Sequence, residues 1–466
     1  MHEQPTIYAL STSPGKAGVA VIRVSGSRAK EAIHRLTKSK AAASEPRKAH
    51  FCRIRHPVSR QSLDRGLVLW FPGPHSFTGE DIVEFQVHGG PAVVRSVLDA
   101  LQTLQGYRMA EQGEFAKRAF DNDKLDLTEL EGLADLLNAE TEVQRKLALR
   151  QAEGGLRIPY ERWREQIIHS MAQTEAVIDF GEDEQIDEGV LDQVHENITQ
   201  LRDAMESHLQ DNRVGEIVRN GVQVAIIGPP NAGKSTLLNR LAKREAAIVS
   251  DTPGTTRDIV EVNLNLGGYP VVVSDTAGLR QSDDVIEMEG VRRAKARLQT
   301  SDIKICLLSY SQLLSRDQEL RLDPILRDIL DQDTYLILNK EDISKDVDAK
   351  RWVDKVQRET GVRKVWSMSC KTDHGVDVFL QDMIDLLKEK FDDYINSPVL
   401  ITQVRHRHHL QECIASLNNY LSLSTDDVVL SAEELRQAAN ALGRITGRVD
   451  VEDVLDALFS QFCIGK

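Results

Sequence analysis

Through roughly the first 120 residues, short apolar runs such as Val19-Ala-Val-Ile-Arg-Val24 and Gly66-Leu-Val-Leu-Trp-Phe71 recur between Gly/Pro turns, with one helical stretch near 92–104. Strand-length, β-branched runs punctuated in this way predict a compact α+β domain, bounded here at residues 1–121. From Asp126 the period changes: Leu130, Leu133, Ala134 and Leu137 recur three and four residues apart, and helical patterning with acidic faces persists to Arg213. This is a first helical part, 122–215. Strand-like and helical patterns alternate from 216 to 380, and helical periodicity resumes over 381–466, as in Leu435, Ala438, Ala439, Leu442 and then Val451, Val454, Leu455, Leu458. A helical segment interrupted by an α/β segment predicts an insertion, with the two helical parts packed together as one domain.

The inserted segment carries the most specific chemistry. The apolar run Val222–Ile227 leads into Gly228-Pro-Pro-Asn-Ala-Gly-Lys-Ser235, a phosphate loop. Its glycines let backbone N–H groups of Asn231, Ala232, Gly233 and the following Thr236 turn towards phosphate oxygens, Lys234 reaches the β/γ-phosphates and the Ser235 hydroxyl can ligate Mg²⁺. Asn339-Lys340-Glu341-Asp342 follows the strand-like Tyr335–Leu338, and an Asp at 342 can accept both N1–H and the exocyclic N–H of guanine. Adenine lacks that donor pair and would leave a carboxylate unpaired, so the ligand is GTP. Ser369-Cys370-Lys371 fits the loop whose backbone N–H reads guanine O6, with Cys370 where alanine is usual. The fold class expected is therefore α/β plus α: an N-terminal α+β domain and a helical domain interrupted by a Ras-like P-loop GTPase domain.

Two further segments carry hydrolysis. Asp251-Thr-Pro-Gly-Thr-Thr-Arg-Asp258 offers Thr256 to Mg²⁺ and the γ-phosphate; Val271–Ser274 ends in Asp275, placed to hold Mg²⁺ through water, and Gly278 N–H can sense the γ-phosphate. Leu279 stands where many regulatory GTPases carry the glutamine that orients the attacking water, and a leucine cannot do so. A polar substitute is sought in the acidic stretch 281–290, where Glu287 and Glu289 precede a helical pattern; an acidic first turn favoured by the helix dipole is the alternative, and spacing does not choose between them.

Composition limits the partners. The 466-residue chain carries a formal charge of −14, which argues against nucleic acid binding through a global basic field, so any such partner needs a local site. Five cysteines without a CxxC pair or regular framework point to a reducing compartment and no structural zinc. No run of about 18 apolar residues exists, so no membrane span is expected, and the opening Met-His-Glu-Gln-Pro has neither a secretory nor a transit-peptide pattern. The segment Phe462-Cys463-Ile-Gly-Lys466 follows an amphipathic helix so closely that it should be docked rather than frayed.

Thr6–Leu10, Gly18–Gly26, Phe71-Pro-Gly-Pro-His-Ser-Phe-Thr-Gly-Glu-Asp81, Gly113–Phe120, the Pro-Asn-Ala phosphate loop, Pro253–Asp258 and the Cys-Ile-Gly-Lys segment together make a chain that resembles the tRNA-modification GTPases called MnmE or TrmE. The resemblance covers essentially the whole chain, and Leu67–Phe77 and Asp179–Asp183 look closest to eukaryotic mitochondrial members. It implies a homodimer that works with an FAD-dependent partner to place a carboxymethylaminomethyl- or taurinomethyl-type group on C5 of the wobble uridine of tRNA. The one-carbon unit would come from 5-formyl- or methylene-tetrahydrofolate held at Arg23, Glu84, Lys124 and Lys466. It also implies K⁺ beside the β/γ-bridge, ligated by Asn231 and by oxygens of Ser250, Thr252 and Thr255, and catalytic roles for Glu287, Arg257 and Cys463. For Cys463 a nucleophile, a redox thiol and a small buried group all remain open. The location implied is the mitochondrial matrix, or the bacterial cytoplasm given that no transit peptide is visible. A ribosome-assembly or translation GTPase switch would share every guanine motif but not the N-terminal constellation.

Overall fold

The computed structural model describes residues 4–180, 189–244, 246–248, 261–275, 301–313, 327, 330–343, 348–395, 400–423, 427–449, 452–462 and 464–465. The chain divides into two compact units: Met1–Leu137 with Leu149–Met205 and His408–Lys466, and Asn138–Ala148 with Glu206–Arg407.

In the first unit, β1 (Thr6–Leu10), β2 (Ala17–Ser25), β3 (His50–Arg55), β4 (Ser62–Phe71), β5 (Ile82–Gly89) and β6 (Tyr107–Met109) form a six-stranded sheet in the order β3-β4-β5-β2-β1-β6. It is antiparallel except where β1 pairs with β6. Helices α1 (Ala29–Leu36), α2 (Lys40–Ser44) and α3 (Pro91–Gln102) cover one face, burying Ile33, Leu36, Val97 and Leu101 with Ile22, Val24, Val68 and Phe85. The predicted runs at 19–24, 66–71 and 92–104 thus fall on β2, β4 and α3.

Two further helices, α4 (Glu114–Asp121) and α5 (Leu127–Asn138), follow. Asp126 starts α5 through a reciprocal cap: Glu129 N–H donates to Asp126 Oδ1 at 2.8 Å, and Asp126 N–H donates to Glu129 Oε2 at 2.8 Å. Burial pushes the Asp126 carboxyl up to about 6. The two helical parts do pack together, helix Arg157–Phe180 against Val428–Thr446, with Arg436 donating to Glu175 at 2.8 Å. No helix among the described residues is long and apolar enough to cross a membrane.

The second unit holds β7 (Val222–Ile227), β8 (Glu261–Leu266), β9 (Tyr269–Asp275), β10 (Ile303–Ser309), β11 (Thr334–Asn339) and β12 (Lys364–Ser367), ordered β12-β11-β10-β7-β9-β8. Only β8 and β9 pair antiparallel. Every residue of β11 is buried, as a parallel strand covered on both faces requires. Leu237, Leu241, Phe379, Met383 and Leu387 cover one face, while Tyr310, Trp352 and Val356 cover the other. Helix Val376–Ile395, most of which the periodicity assigns to the second helical part, packs here on the nucleotide-domain sheet.

Candidate nucleotide site and N-terminal constellation

In a doubly wound sheet, ligands bind beyond the carboxyl ends of the strands. The phosphate loop leaves β7 there, the Asn339–Asp342 segment leaves β11, and Ser369–Lys371 leaves β12. The phosphate loop has a backbone that only particular residues allow. Gly228 and Gly233 sit at φ +149° and +111°, and a Cβ on either would stand 2.1 Å from Leu307 O or Asn339 Nδ2. Asn231 is left-handed at φ +62°. This cradle fits a phosphate chain, with Lys234 and Ser235 opening helix Lys234–Leu241. The Lys234 ammonium donates to Gly228 O at 2.7 Å and Pro229 O at 3.0 Å, so its charge lies at the mouth of the loop.

Three connections tie the guanine segments to this loop. Asn339 Nδ2 donates to Ala232 O at 2.8 Å while its Oδ1 accepts from Cys370 N–H at 3.0 Å, joining all three strand ends through one side chain. Lys340 Nζ donates to Asn231 O at 2.6 Å. Ser369 Oγ donates to Asp342 Oδ1 at 2.7 Å, fixing the carboxylate that the sequence assigns to the base. Cys370 is 1% exposed, and burial pushes its thiol up to about 11, so it serves as a small neutral group like the alanine it replaces.

The N-terminal constellation is assembled in the first unit. Arg23 and Glu84 face each other across β2 and β5, with Arg23 Nε and Nη2 each 3.1 Å from Glu84 Oε1. The guanidinium also lies over Phe77 and Phe115, 5.4 and 5.8 Å from the ring centroids. The Lys124 stem lies against Gly79, in the loop that presents Phe77; a Cβ there would be 3.1 Å from Lys124 Cε. The C-terminal segment is docked as expected: Phe462 is buried with Ala116, Leu127 and Leu130, and Ser11 Oγ donates to Gly465 O at 2.9 Å. Gly465, at φ +130°, leaves no room for a side chain, since a Cβ would meet Leu10 O at 2.3 Å. Leu10 pairs with Ile22, the neighbour of Arg23, so Gly465 is seated at the end of the strand adjacent to the one that carries Arg23.

The comparisons agree along the whole length. Residues 6–124 match the profile described as GTP-binding protein TrmE N-terminus, and residues 127–463 match the MnmE helical domain. The chain belongs to the MnmE family. It is 50% identical to the mitochondrial 5-taurinomethyluridine-[tRNA] synthase subunit of Danio rerio and 44% to that of Homo sapiens, in each case over 99% of this chain and 93% of the relative. It is 47% identical to the tRNA modification GTPase MnmE of Parvibaculum lavamentivorans, covering 99% of this chain and all of that one. Relatives are thus both mitochondrial and bacterial, and the P-loop domain makes this MnmE-family chain a GTPase that uses GTP with Mg²⁺.

Several site residues named from sequence fall outside the described residues: Ser250, Thr252, Thr255, Thr256, Arg257, Gly278, Glu287, Cys463 and Lys466; Asp275 is described for its backbone only. Conversely, Arg240 has a role that the sequence reading does not find. From the phosphate-loop helix its Nε donates to Cys370 O at 2.9 Å, Nη2 to Lys371 O at 2.7 Å and Nη1 to Asp373 Oδ2 at 2.9 Å. Arg244, one turn on, bonds Asp373 and Asp377. A planar fork across two carbonyls and a carboxylate holds the guanine loop at a fixed distance from the phosphate loop. Each charge-assisted bond is worth about 1.5–3 kcal/mol when buried. Because the Arg240 side chain is 37% exposed, the low end applies. Arg240→Met is expected to speed GDP dissociation roughly tenfold, and Arg240→Lys, which cannot span three acceptors, to restore little. Stopped-flow release of a fluorescent GDP reads this, and unchanged release would remove Arg240 from base binding.

Proposed function

We propose that this chain is the GTP-hydrolysing subunit of an enzyme that modifies C5 of the wobble uridine of tRNA, working as a homodimer with an FAD-dependent partner subunit. The observation that carries this reading is the seat of Gly465 against Leu10 and Ser11, at the end of the strand next to the one that bears Arg23, together with whole-length identity to proteins named for tRNA modification. A translation or ribosome-assembly switch needs the guanine site but has no use for this second one.

The two sites divide the chemistry. At the nucleotide site, Lys234 and the loop N–H groups hold the phosphates, Ser235, Thr256 and Asp275 serve Mg²⁺, and Glu287 orients the attacking water that Leu279 cannot. K⁺, when bound by Asn231 and the Ser250–Thr255 loop, supplies positive charge at the β/γ-bridge, where charge develops. The Asn231 amide is exposed at the rim of the phosphate loop, consistent with that role. At the N-terminal site, an Arg–Glu pair suits a polar-edged pterin: Glu84 accepts from the amino edge, and Arg23, held over Phe77 and the buried Phe115, clamps formyl or glutamyl oxygens together with Lys124 and Lys466. A tetrahydrofolate held there supplies the one-carbon unit. By kinship with the mitochondrial relatives the place of action is the mitochondrial matrix.

The test is mass spectrometry of tRNA nucleosides from cells lacking the protein, where the C5-substituted wobble uridine is expected to disappear and to return with the intact gene; an unchanged nucleoside profile would reject the function. The K⁺ assignment has its own measurement. GTP hydrolysis is expected to run much faster in KCl than in NaCl at equal ionic strength, and equal rates would remove the cation from the mechanism.

A further inference from the structure

The net charge of −14 conceals a strongly basic stretch. Residues 28–65 contain eleven Lys and Arg against three Asp and Glu. They run from α1 to the β3–β4 hairpin, at the outer end of the N-terminal sheet. In β3, Cys52 and Ile54 point into the core, so Phe51, Arg53 and Arg55 point the other way. Arg65 lies directly opposite Arg53, and Leu67 directly opposite Phe51. Like charges facing each other across a strand pair repel and weaken the sheet. Among the described residues no carboxylate relieves them: the hairpin's own Asp64 is engaged by His88, whose Nδ1 is 2.8 Å from its Oδ1. Beside these arginines Phe51 is 71% exposed on a sheet surface, a position that core packing does not explain.

We infer that the outer face of the β3–β4 hairpin is a binding surface for the sugar-phosphate backbone of RNA, with Phe51 available to stack on an unpaired base. This rests on the tRNA-modifying function proposed above and supplies the local site that an acidic protein needs to hold a polyanion. Arg53, Arg55 and Arg65 gain phosphate partners, and an exposed aromatic among arginines is how sheet surfaces hold single-stranded RNA. A second copy of the chain is a poor occupant, because a symmetric contact would set the same arginines against each other. The surface also lies where the chemistry would need it. Phe51, Leu67, Gln86 and Val21 form one row across β3, β4, β5 and β2, and the neighbouring row contains Leu69, Glu84 and Arg23. RNA on the hairpin would therefore share a sheet face with the Arg23–Glu84 pair, two strands or roughly 10 Å away.

The experiment uses the full chain and a fluorescently labelled tRNA, with anisotropy titrations at several KCl concentrations. Replacing Arg53, Arg55 and Arg65 together by Gln is expected to lower the slope of log affinity against log salt by about 2 to 3 and to weaken binding at 0.1 M salt on the order of 10²-fold. Phe51→Ala is expected to weaken binding with the slope unchanged. GTP hydrolysis should match the unaltered chain, and the triple variant should melt no lower, because a repulsive pair has been removed. Equal affinity and slope in the triple variant, or no tRNA binding by the unaltered chain, would overturn the surface. Loss of partner-subunit binding with tRNA affinity intact would also overturn it, marking a protein-docking face instead. The nucleoside assay separates the two readings: if the intact gene restores modification while the triple variant binds tRNA normally, the surface fails and the function stands.

Discussion

Glu287→Ala is expected to slow single-turnover GTP hydrolysis by about 10²–10⁴-fold, the range for a positioned acid–base group, while leaving GTP affinity nearly intact. The contrast in affinity follows from the separate tethering of the base and phosphate elements. Asn339, Lys340 and Arg240 bind the guanine segments to the phosphate loop and its helix through bonds to Ala232, Asn231 and Cys370. Removing a group that acts only on the attacking water therefore leaves ground-state binding alone. Glu289→Ala, two positions on, is expected to change little. Comparable losses for both variants, or a loss confined to Glu289, would mean that the water is oriented by a different carboxylate. Quench-flow measurement of phosphate release at saturating protein gives the rate free of nucleotide exchange.

The second large effect is expected at Gly465. Its φ of +130° and a Cβ position 2.3 Å from Leu10 O mean that Gly465→Val cannot keep the present seat. The segment should lift from the Leu10–Ser11 end of β1, taking Lys466 with it. Loss of a charge-assisted contact from Lys466 would weaken a formyl-tetrahydrofolate by about 1.5–3 kcal/mol, roughly ten- to a hundredfold, and tRNA modification should fail. GTP binding and hydrolysis should survive, since the nucleotide site is built within the other unit. Ser11→Ala removes only the Oγ bond to Gly465 O and should cost about 0.5–1.5 kcal/mol. Calorimetric titration of the folate together with nucleoside analysis reads both quantities. Unchanged folate affinity with lost modification would assign the segment to partner docking or to Cys463 chemistry instead.

The sequence was most legible where backbone geometry and ligand chemistry are encoded within a few consecutive residues. The phosphate loop and the Asn339–Asp342 segment carry their own spacing, and the structure places both at one end of the sheet, whereas the reciprocal cap at Asp126 emerges only from the structure. Arg240 was illegible for the opposite reason: two of its three acceptors are main-chain carbonyls some 130 positions away, and a carbonyl has no residue type. Phe51 misleads a pattern reading. In His50-Phe-Cys-Arg-Ile-Arg55 the apolar residues fall on both parities, and only packing tells that Cys52 and Ile54, not Phe51, face the core. The basic stretch at 28–65 disappears in a whole-chain charge because acidic helices elsewhere outweigh it. The pairing of Arg23 with Glu84 needs strand register, which alternation alone does not fix across a 61-residue separation.

The bond between Ser11 and Gly465 spans 454 positions of the chain. During synthesis the N-terminal sheet and the whole GTPase domain emerge long before Gly465 does, and both have their own cores with which to fold. Nucleotide turnover would therefore be available to a nascent or prematurely terminated chain, whereas the proposed one-carbon site would be complete only after Gly465 has been made. On the proposed function, a chain that stopped before Gly465 would consume GTP, leave tRNA unaltered and compete for the partner subunit rather than be simply absent.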